Sequence, residues 1–321
     1  MRILALVPGG IGDQVLFFPT LSDLKQTYPN AEIDVVVEPR AKGAYRVCPS
    51  VSDVIAFDFK NRNSPADWAN LLGVIRERYY DVALSLGSRW SVGLLLWLTG
   101  TPNRVGYASS IGSWFLTNPV PLKPEQYAAC MYHDLLQGLS IDTSCPLPSI
   151  SVPKSDIDWA DGERSRLEVG DRGYVLIHGG SSQLAKDKGI DKLYPVESWV
   201  TIVQDFQKRQ PDLPVVVVQG PEDEDFVAQL KHSANIKVTQ PGDIGKLAAM
   251  IAGANLMLCT DSAPMHLAVA LKVYTLALFG PTDPARLLPQ DDKFIGIKSD
   301  TGNMADIPPE KVLNQVWGGA S

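Results

Sequence analysis

The chain has 321 residues, 45% hydrophobic and 20% charged, with 29 Lys and Arg against 36 Asp and Glu and a net charge of −7. At roughly 150 residues per domain, that length predicts two domains, each able to bury a core without disulfides or metals. The acidic balance and a mean hydropathy of −0.02 describe an ordinary globular protein and exclude a generally basic, duplex-binding surface, so no nucleic-acid partner is expected.

In chain order, 2–7 (RILALV) reads as a buried strand ending in Pro-Gly-Gly. Residues 13–28 place Val15, Leu16, Phe18, Leu21 and Leu24 at helical spacing before Pro29-Asn30. Further strands are expected at 33–37, 54–57 and 82–86, with a helix at 68–78. Alternating strands and helices imply a parallel sheet covered on both faces. The stretch 145–154 carries three prolines in CPLPSISVPK and suits a linker. We therefore expect domains at 1–155 and 156–321. The second half repeats the pattern: strands at 174–177, 215–218, 256–259 and 273–279, and helices at 196–208, 222–231, 243–252 and 263–271. A last helix at 308–317 is a candidate for packing back on the first domain.

The four cysteines, Cys48, Cys130, Cys145 and Cys259, include no C-x-x-C and no His at ligand spacing. They read as core residues in a reducing compartment. Apolar runs at 3–7, 93–98 and 215–218 fall far below the roughly 18 residues of a spanning helix. No signal-peptide pattern precedes Gly-Gly-Ile-Gly-Asp, so a cytoplasmic protein is expected. Residues 93–98 and 111–116 are either core or a contact for a lipid-linked molecule, with core favoured for the first.

Ligands of doubly wound sheets bind at the carboxyl ends of strands, and the unusual residues lie in the loops that follow strands. In Pro8-Gly9-Gly10-Ile11-Gly12-Asp13, Gly10 and Gly12 fit a dinucleotide fingerprint, but Val15 occupies its third glycine position. Asp13 has two open readings, an N-cap and a general base. The loop His178-Gly179-Gly180-Ser181-Ser182 is a plausible phosphate cradle, and Lys192 is anchored by the following Tyr194-Pro195 so that it can aim at a diphosphate. In Asp261-Ser262-Ala263-Pro264-Met265-His266, Ser262 would cap a helix whose dipole favours an anion. In Gly220-Pro221-Glu222-Asp223-Glu224, after the 215–218 strand, the carboxylates, Glu222 first among them, either hold a ribose or start a helix.

Together these loops resemble glycosyltransferase family 9, the ADP-heptose:lipopolysaccharide heptosyltransferases. The likeness rests on residues 2–29 with Gly12-Asp13, on His178 with Lys192-Leu-Tyr-Pro-Val-Glu-Ser-Trp199, and on Asp261-Ser-Ala-Pro-Met-His266-Leu-Ala268 continuing through Leu278-Phe-Gly-Pro-Thr282. The resemblance implies an α/β fold of GT-B architecture: two Rossmann-like doubly wound domains facing a cleft, with acceptor on the first and donor on the second. It implies an inverting, metal-independent transfer with no cofactor. Asp13 is then the catalytic base, and Gly12, Gly180, Ser181, Ser182, Lys192, Glu222, Asp261, Ser262, Ala263 and His266 bind the donor. The implied partners are a nucleotide-diphosphate sugar, with an ADP-sugar favoured, and a glycan or lipid-linked glycan acceptor. The inner face of the cytoplasmic membrane is a candidate peripheral contact. Two departures stand out: Ala263 replaces a family glycine, and 179–191 is longer than usual. Competing readings are an NAD(P)-dependent oxidoreductase, with Glu38 as its ribose acid, and a degenerate transferase that only binds nucleotide.

Overall fold

The computed structural model describes residues 1–59, 63–87, 89–108, 111–170, 172–180 and 193–318. It divides into two compact units, Met1–Ser151 and Val152–Ser321.

In the first unit the strands are β1 (Arg2–Val7), β2 (Glu32–Val37), β3 (Asp53–Ala56), β4 (Val82–Ser85), β5 (Asn103–Tyr107) and β6 (Asn118–Val120). They form a six-stranded sheet in the order β3-β2-β1-β4-β5-β6, parallel throughout. Helices α1 (Ile11–Thr27), α2 (Pro65–Glu77), α3 (Trp90–Leu98) and α4 (Ala128–His133) accompany it, with 3₁₀ turns at Pro39–Val47, Ile111–Phe115 and Asp134–Leu139. From Ile3 to Val7 the central β1 is fully buried, as an apolar run sandwiched between helical layers must be. At the opposite end of the strands, buried Asp34 accepts from Tyr80 (2.6 Å) and Arg78 (2.8 Å). Arg78 also pairs with Asp53 at 2.7 Å and holds that carboxyl below its usual range. This network ties β2, β3 and the turn before β4 together, away from the functional edge.

α1 begins two residues earlier than the apolar spacing predicts. Gly10 is its N-cap and Asp13 its third residue, so the N-cap reading of Asp13 is corrected. Because glycine cannot cap with a side chain, the Asp13 carboxylate reaches back to the Gly10 N–H at 2.7 Å.

The second unit opens with α5 (Lys154–Arg166), which begins where the proline-rich stretch ends and was not foreseen. β7 (Val175–His178), α6 (Val196–Arg209), β8 (Val215–Val218), α7 (Glu224–Ser233), β9 (Lys237–Thr239) and α8 (Ile244–Ala252) come next. β10 (Leu256–Thr260), α9 (Ala263–Ala270), β11 (Thr275–Phe279), α10 (Pro284–Leu287), β12 (Phe294–Lys298) and α11 (Pro309–Trp317) complete it. The sheet order is β12-β11-β10-β7-β8-β9, again parallel. Numbered within its own unit, each sheet has the doubly wound order 3-2-1-4-5-6, with its switch point between the first and fourth strands.

α11 buries Val312 and Leu313 in the second unit's core. Its Trp317 donates to Asp205 at 2.8 Å and lies 5.0 Å from the Phe206 ring, so its apolar face is covered by α6. Cys48 and Cys259 are buried as expected, whereas Cys130 and Cys145 are part-exposed; all four are free thiols. Among the described residues no helix is long and apolar enough to cross a membrane.

Candidate functional site

At the first sheet's switch point the chain leaves β1 through Pro8, Gly9 and Gly10 and enters α1. Gly9 takes φ +140°, and a Cβ there would lie 2.3 Å from Asp13 Oδ2. The glycine therefore lets the backbone fold over the carboxylate. Gly12 lies in the first turn of α1 beside Asp13. Tyr132, on α4, donates its hydroxyl to Asp13 Oδ1 at 3.1 Å, so each carboxylate oxygen has one fixed donor. A carboxylate has about four acceptor positions, which leaves capacity for a third proton donor. Gln14 fixes the loop from below: its amide donates to Val7 O (3.1 Å) and Gly10 O (3.3 Å), and it accepts from Tyr45 (2.7 Å). Gly9→Ala is expected to cost about 1–3 kcal/mol in a denaturant titration, because it forces both a glycine-only φ and a displaced Asp13.

The second sheet's switch point joins the ends of β7 and β10. Thr260 donates to the Gly180 carbonyl at 3.2 Å, and Ser262 Oγ lies 3.3 Å from His178 Nδ1. Ser262 is the N-cap of α9 by backbone, but its hydroxyl turns back to Thr260 O at 3.1 Å instead of capping. The expected side-chain cap is thus absent, because the hydroxyl is turned toward the Thr260 carbonyl and His178 and away from the helix N–H groups. Asp261 is buried and accepts from Thr282 at 2.8 Å, which ties it to the turn after β11. Ala263 and His266 lie in α9, His266 buried.

After β8, the residue turned inward is Asp223. It accepts from the Gly220 N–H at 2.9 Å and lies 3.6 Å from His178 Nε2. Burial depresses the His178 pKa, and the Asp223 charge opposes that less strongly, so the imidazole is neutral at pH 7. Glu222 is exposed and lines a groove of about 400 Å³ with Gly180, Tyr194, Pro195, Asp223 and Phe226.

The structure brings Gly180, Asp261, Ser262, Ala263 and Glu222 to the carboxyl edge of the second sheet, and Gly12 and Asp13 to that edge of the first. Ser181, Ser182 and Lys192 lie outside the described residues. Tyr132 is absent from the sequence reading, and Asp223 is one of the carboxylates of the 220–224 turn among which the sequence does not choose. Tyr132 is 119 residues from its partner in sequence, so no local pattern announces it. Asp223 sits in an acidic run, Glu-Asp-Glu-Asp, where only the backbone decides which carboxylate turns inward. Among the described residues no three His, Cys, Asp or Glu side chains are grouped as metal ligands would be.

A family model described as glycosyltransferase family 9 (heptosyltransferase) matches residues 68–316. The chain is 25% identical to the photosynthetic NDH subunit of subcomplex B 1 of Arabidopsis thaliana, over 99% of this chain and 74% of that protein. It is 26% identical to lipopolysaccharide heptosyltransferase 3 of Escherichia coli, over 85% of this chain and 81% of that one. Among solved structures, the E. coli ADP-heptose lps heptosyltransferase II superposes with a TM-score of 0.80 at 20% identity, covering 99% of this chain and 98% of that chain. The two doubly wound units are therefore the GT-B fold.

Proposed function

The chain belongs to glycosyltransferase family 9, and from that membership we propose that it transfers heptose from ADP-heptose to a lipopolysaccharide-core or related glycan acceptor. The observation that carries this reading is the seating of the motif residues. Asp13 closes the β1 loop of the first sheet, and Gly180, Asp261 and Ser262 meet at the switch point of the second. The second unit binds the donor through Gly180, Glu222, Asp261, Ser262, Ala263 and His266, joined by Ser181, Ser182 and Lys192. The first unit binds the acceptor, Gly12 is counted with the donor-binding residues, and the enzyme works in the cytoplasm.

In this mechanism Asp13 takes the proton of the acceptor hydroxyl as its oxygen attacks the anomeric carbon from the face opposite the diphosphate. The bond from that carbon to the diphosphate oxygen breaks, ADP leaves with the electron pair, and the configuration inverts. Lys192 and the first turn of α9 stabilise the charge that develops on the leaving group. The step needs no metal.

The test begins with thermal shifts in ADP, UDP, GDP, CMP and NAD at matched millimolar concentration. A ligand at about 100 times its Kd adds about 2.7 kcal/mol of stability, which raises the midpoint by several degrees. Selective stabilisation by ADP, followed by heptose transfer from ADP-heptose, is expected. A response to NAD alone would overturn the reading in favour of an oxidoreductase. ADP binding without transfer or donor hydrolysis would make the chain a nucleotide-binding protein, a reading kept open by a relative named as a complex subunit.

A further inference from the structure

α3 reads WSVGLLLWL and contains no charged residue. A helix apolar on every side belongs inside a protein or a membrane, yet α3 has an outer face. Val92, Leu95 and Leu96 are buried against the first sheet, while Trp90 and Trp97, two turns apart, are 59% and 53% exposed. The 3₁₀ turn Ile111–Phe115 lies directly against this helix. A Cβ on Gly93 would sit 2.4 Å from the Gly112 carbonyl, and the Trp97 and Phe115 rings are 6.2 Å apart. Arg104 fixes the turn's end by donating to Phe115 O at 2.8 Å. The turn adds Ile111, 74% exposed, and Trp114, 87% exposed. Isolated exposed apolar residues are ordinary, but three tryptophans and an isoleucine on two packed segments form a patch.

The charge along the segments that form this patch is as uneven as their polarity. All 36 Asp and Glu of the chain lie outside residues 82–124, while Arg89, Arg104 and Lys123 lie within them. Arg89 is exposed and immediately precedes Trp90. Lys123 pairs with Asp134 at 3.3 Å, and Arg104 holds backbone carbonyls, so Arg89 supplies the outward positive charge. In a chain of net charge −7, two aromatic segments that carry no acidic residue of their own and have an exposed arginine beside them complement a negatively charged, partly apolar boundary. Tryptophan is the side chain suited to such a boundary, with a large apolar body and one N–H donor.

The patch also has a place relative to the chemistry. α3 starts just after β4, and Ile111 follows β5, so Trp90 and Ile111 lie at the carboxyl edge of the first sheet. Asp13 follows β1 at that same edge.

We infer that the surface formed by Trp90, Trp97, Ile111 and Trp114, with Arg89 at its rim, docks the protein on an anionic lipid bilayer. The tryptophans enter the headgroup region and the arginine meets lipid phosphate. Docking here presents a lipid-linked acceptor along the edge that carries Asp13; that consequence rests on the function proposed above, whereas the docking itself does not.

The test is flotation of the full chain with vesicles of phosphatidylcholine alone or with 30% phosphatidylglycerol. The wild-type chain is expected to float with the anionic vesicles and to dissociate when salt is raised. Trp114→Ser and Trp90→Ser should each weaken that partition by about tenfold, the effect of withdrawing one large apolar side chain. Both side chains are exposed, so the fold is retained, as far-UV circular dichroism will check. Flotation that is absent, equal on neutral vesicles, or unchanged in both variants would overturn the inference. So would a wild-type dimer that Trp114→Ser turns monomeric, which would make the patch a protein interface. A wild-type chain that floats as expected but transfers no heptose would instead count against the function proposed above and leave the docking standing.

Discussion

Asp13→Asn is expected to lower kcat for sugar transfer by about 10²- to 10⁴-fold, the usual contribution of a positioned general base, while ADP affinity stays at the wild-type value. The amide preserves the shape of the carboxylate, and its oxygen still accepts the Gly10 N–H that closes the first turn of α1. What it loses is the capacity to take a proton, and the Tyr132 hydroxyl must find another acceptor. Asp13→Ala removes the capping contact as well, so it should also cost about 1 kcal/mol of stability. The pair of variants separates the two roles of one side chain, since Asn abolishes chemistry with a near-native melting temperature and Ala abolishes chemistry with a lower one. Single-turnover transfer alongside ADP titration makes the measurement. An Asp13→Asn enzyme that transfers within about fivefold of wild type would remove Asp13 as the base, because a loss that small is no more than one hydrogen bond.

The sequence carries its long apolar strands openly. Ile3 to Val7 and Val215 to Val218 are buried runs that can be read on sight, and the glycine-rich turns after them mark the edge where ligands go. The weaker strands are less legible. β5, NRVGY, opens with Asn and Arg, and β12, FIGIK, has a glycine in its centre, so neither offers a sustained apolar or alternating pattern. α5 begins immediately after a proline-rich segment, and its sequence, KSDIDWADGERSR, has too few apolar positions to show a face. The candidate site divides in the same way. Asp13, Asp261 and Ser262 follow strands and can be found from loop chemistry. Tyr132 reaches Asp13 only through the packing of α4 on α1, where Leu16 clusters with Ala128 and Ala129. Asp223 rather than Glu222 turns inward because its carboxylate finds the Gly220 N–H three residues back. Trp97 and Leu98 end a helix whose apolar run favours burial, and they are exposed because the sheet takes only one side of α3.

Gly180→Ala should be the most damaging single-methyl change at the second switch point, costing roughly 3 kcal/mol through overpacking and a displaced buried carboxylate. A Cβ at 180 would lie 1.8 Å from Asp223 Oδ1 and 2.3 Å from its Cγ, so the carboxylate has to move. Moving it breaks the Gly220 contact and withdraws the charge from beside His178. The Gly180 carbonyl, which accepts from Thr260 and links β7 to β10, shifts with it. Gly162 in α5 provides the contrast, because it is exposed and a Cβ there meets nothing within 4 Å. Gly162→Ala should therefore stabilise the protein by about 0.5–1 kcal/mol through helix propensity. The two alanines are chemically identical, so opposite shifts in unfolding midpoint isolate the switch-point packing from any general effect of losing a glycine. The Gly180 variant should also lose the stabilisation by ADP expected of the wild type, since the same displacement reshapes the groove shared with Glu222. A Gly180→Ala protein that melts and binds ADP as the wild type does would mean that the carboxylate relaxes freely, and that Asp223 neither supports the fold nor shapes the groove beside Glu222.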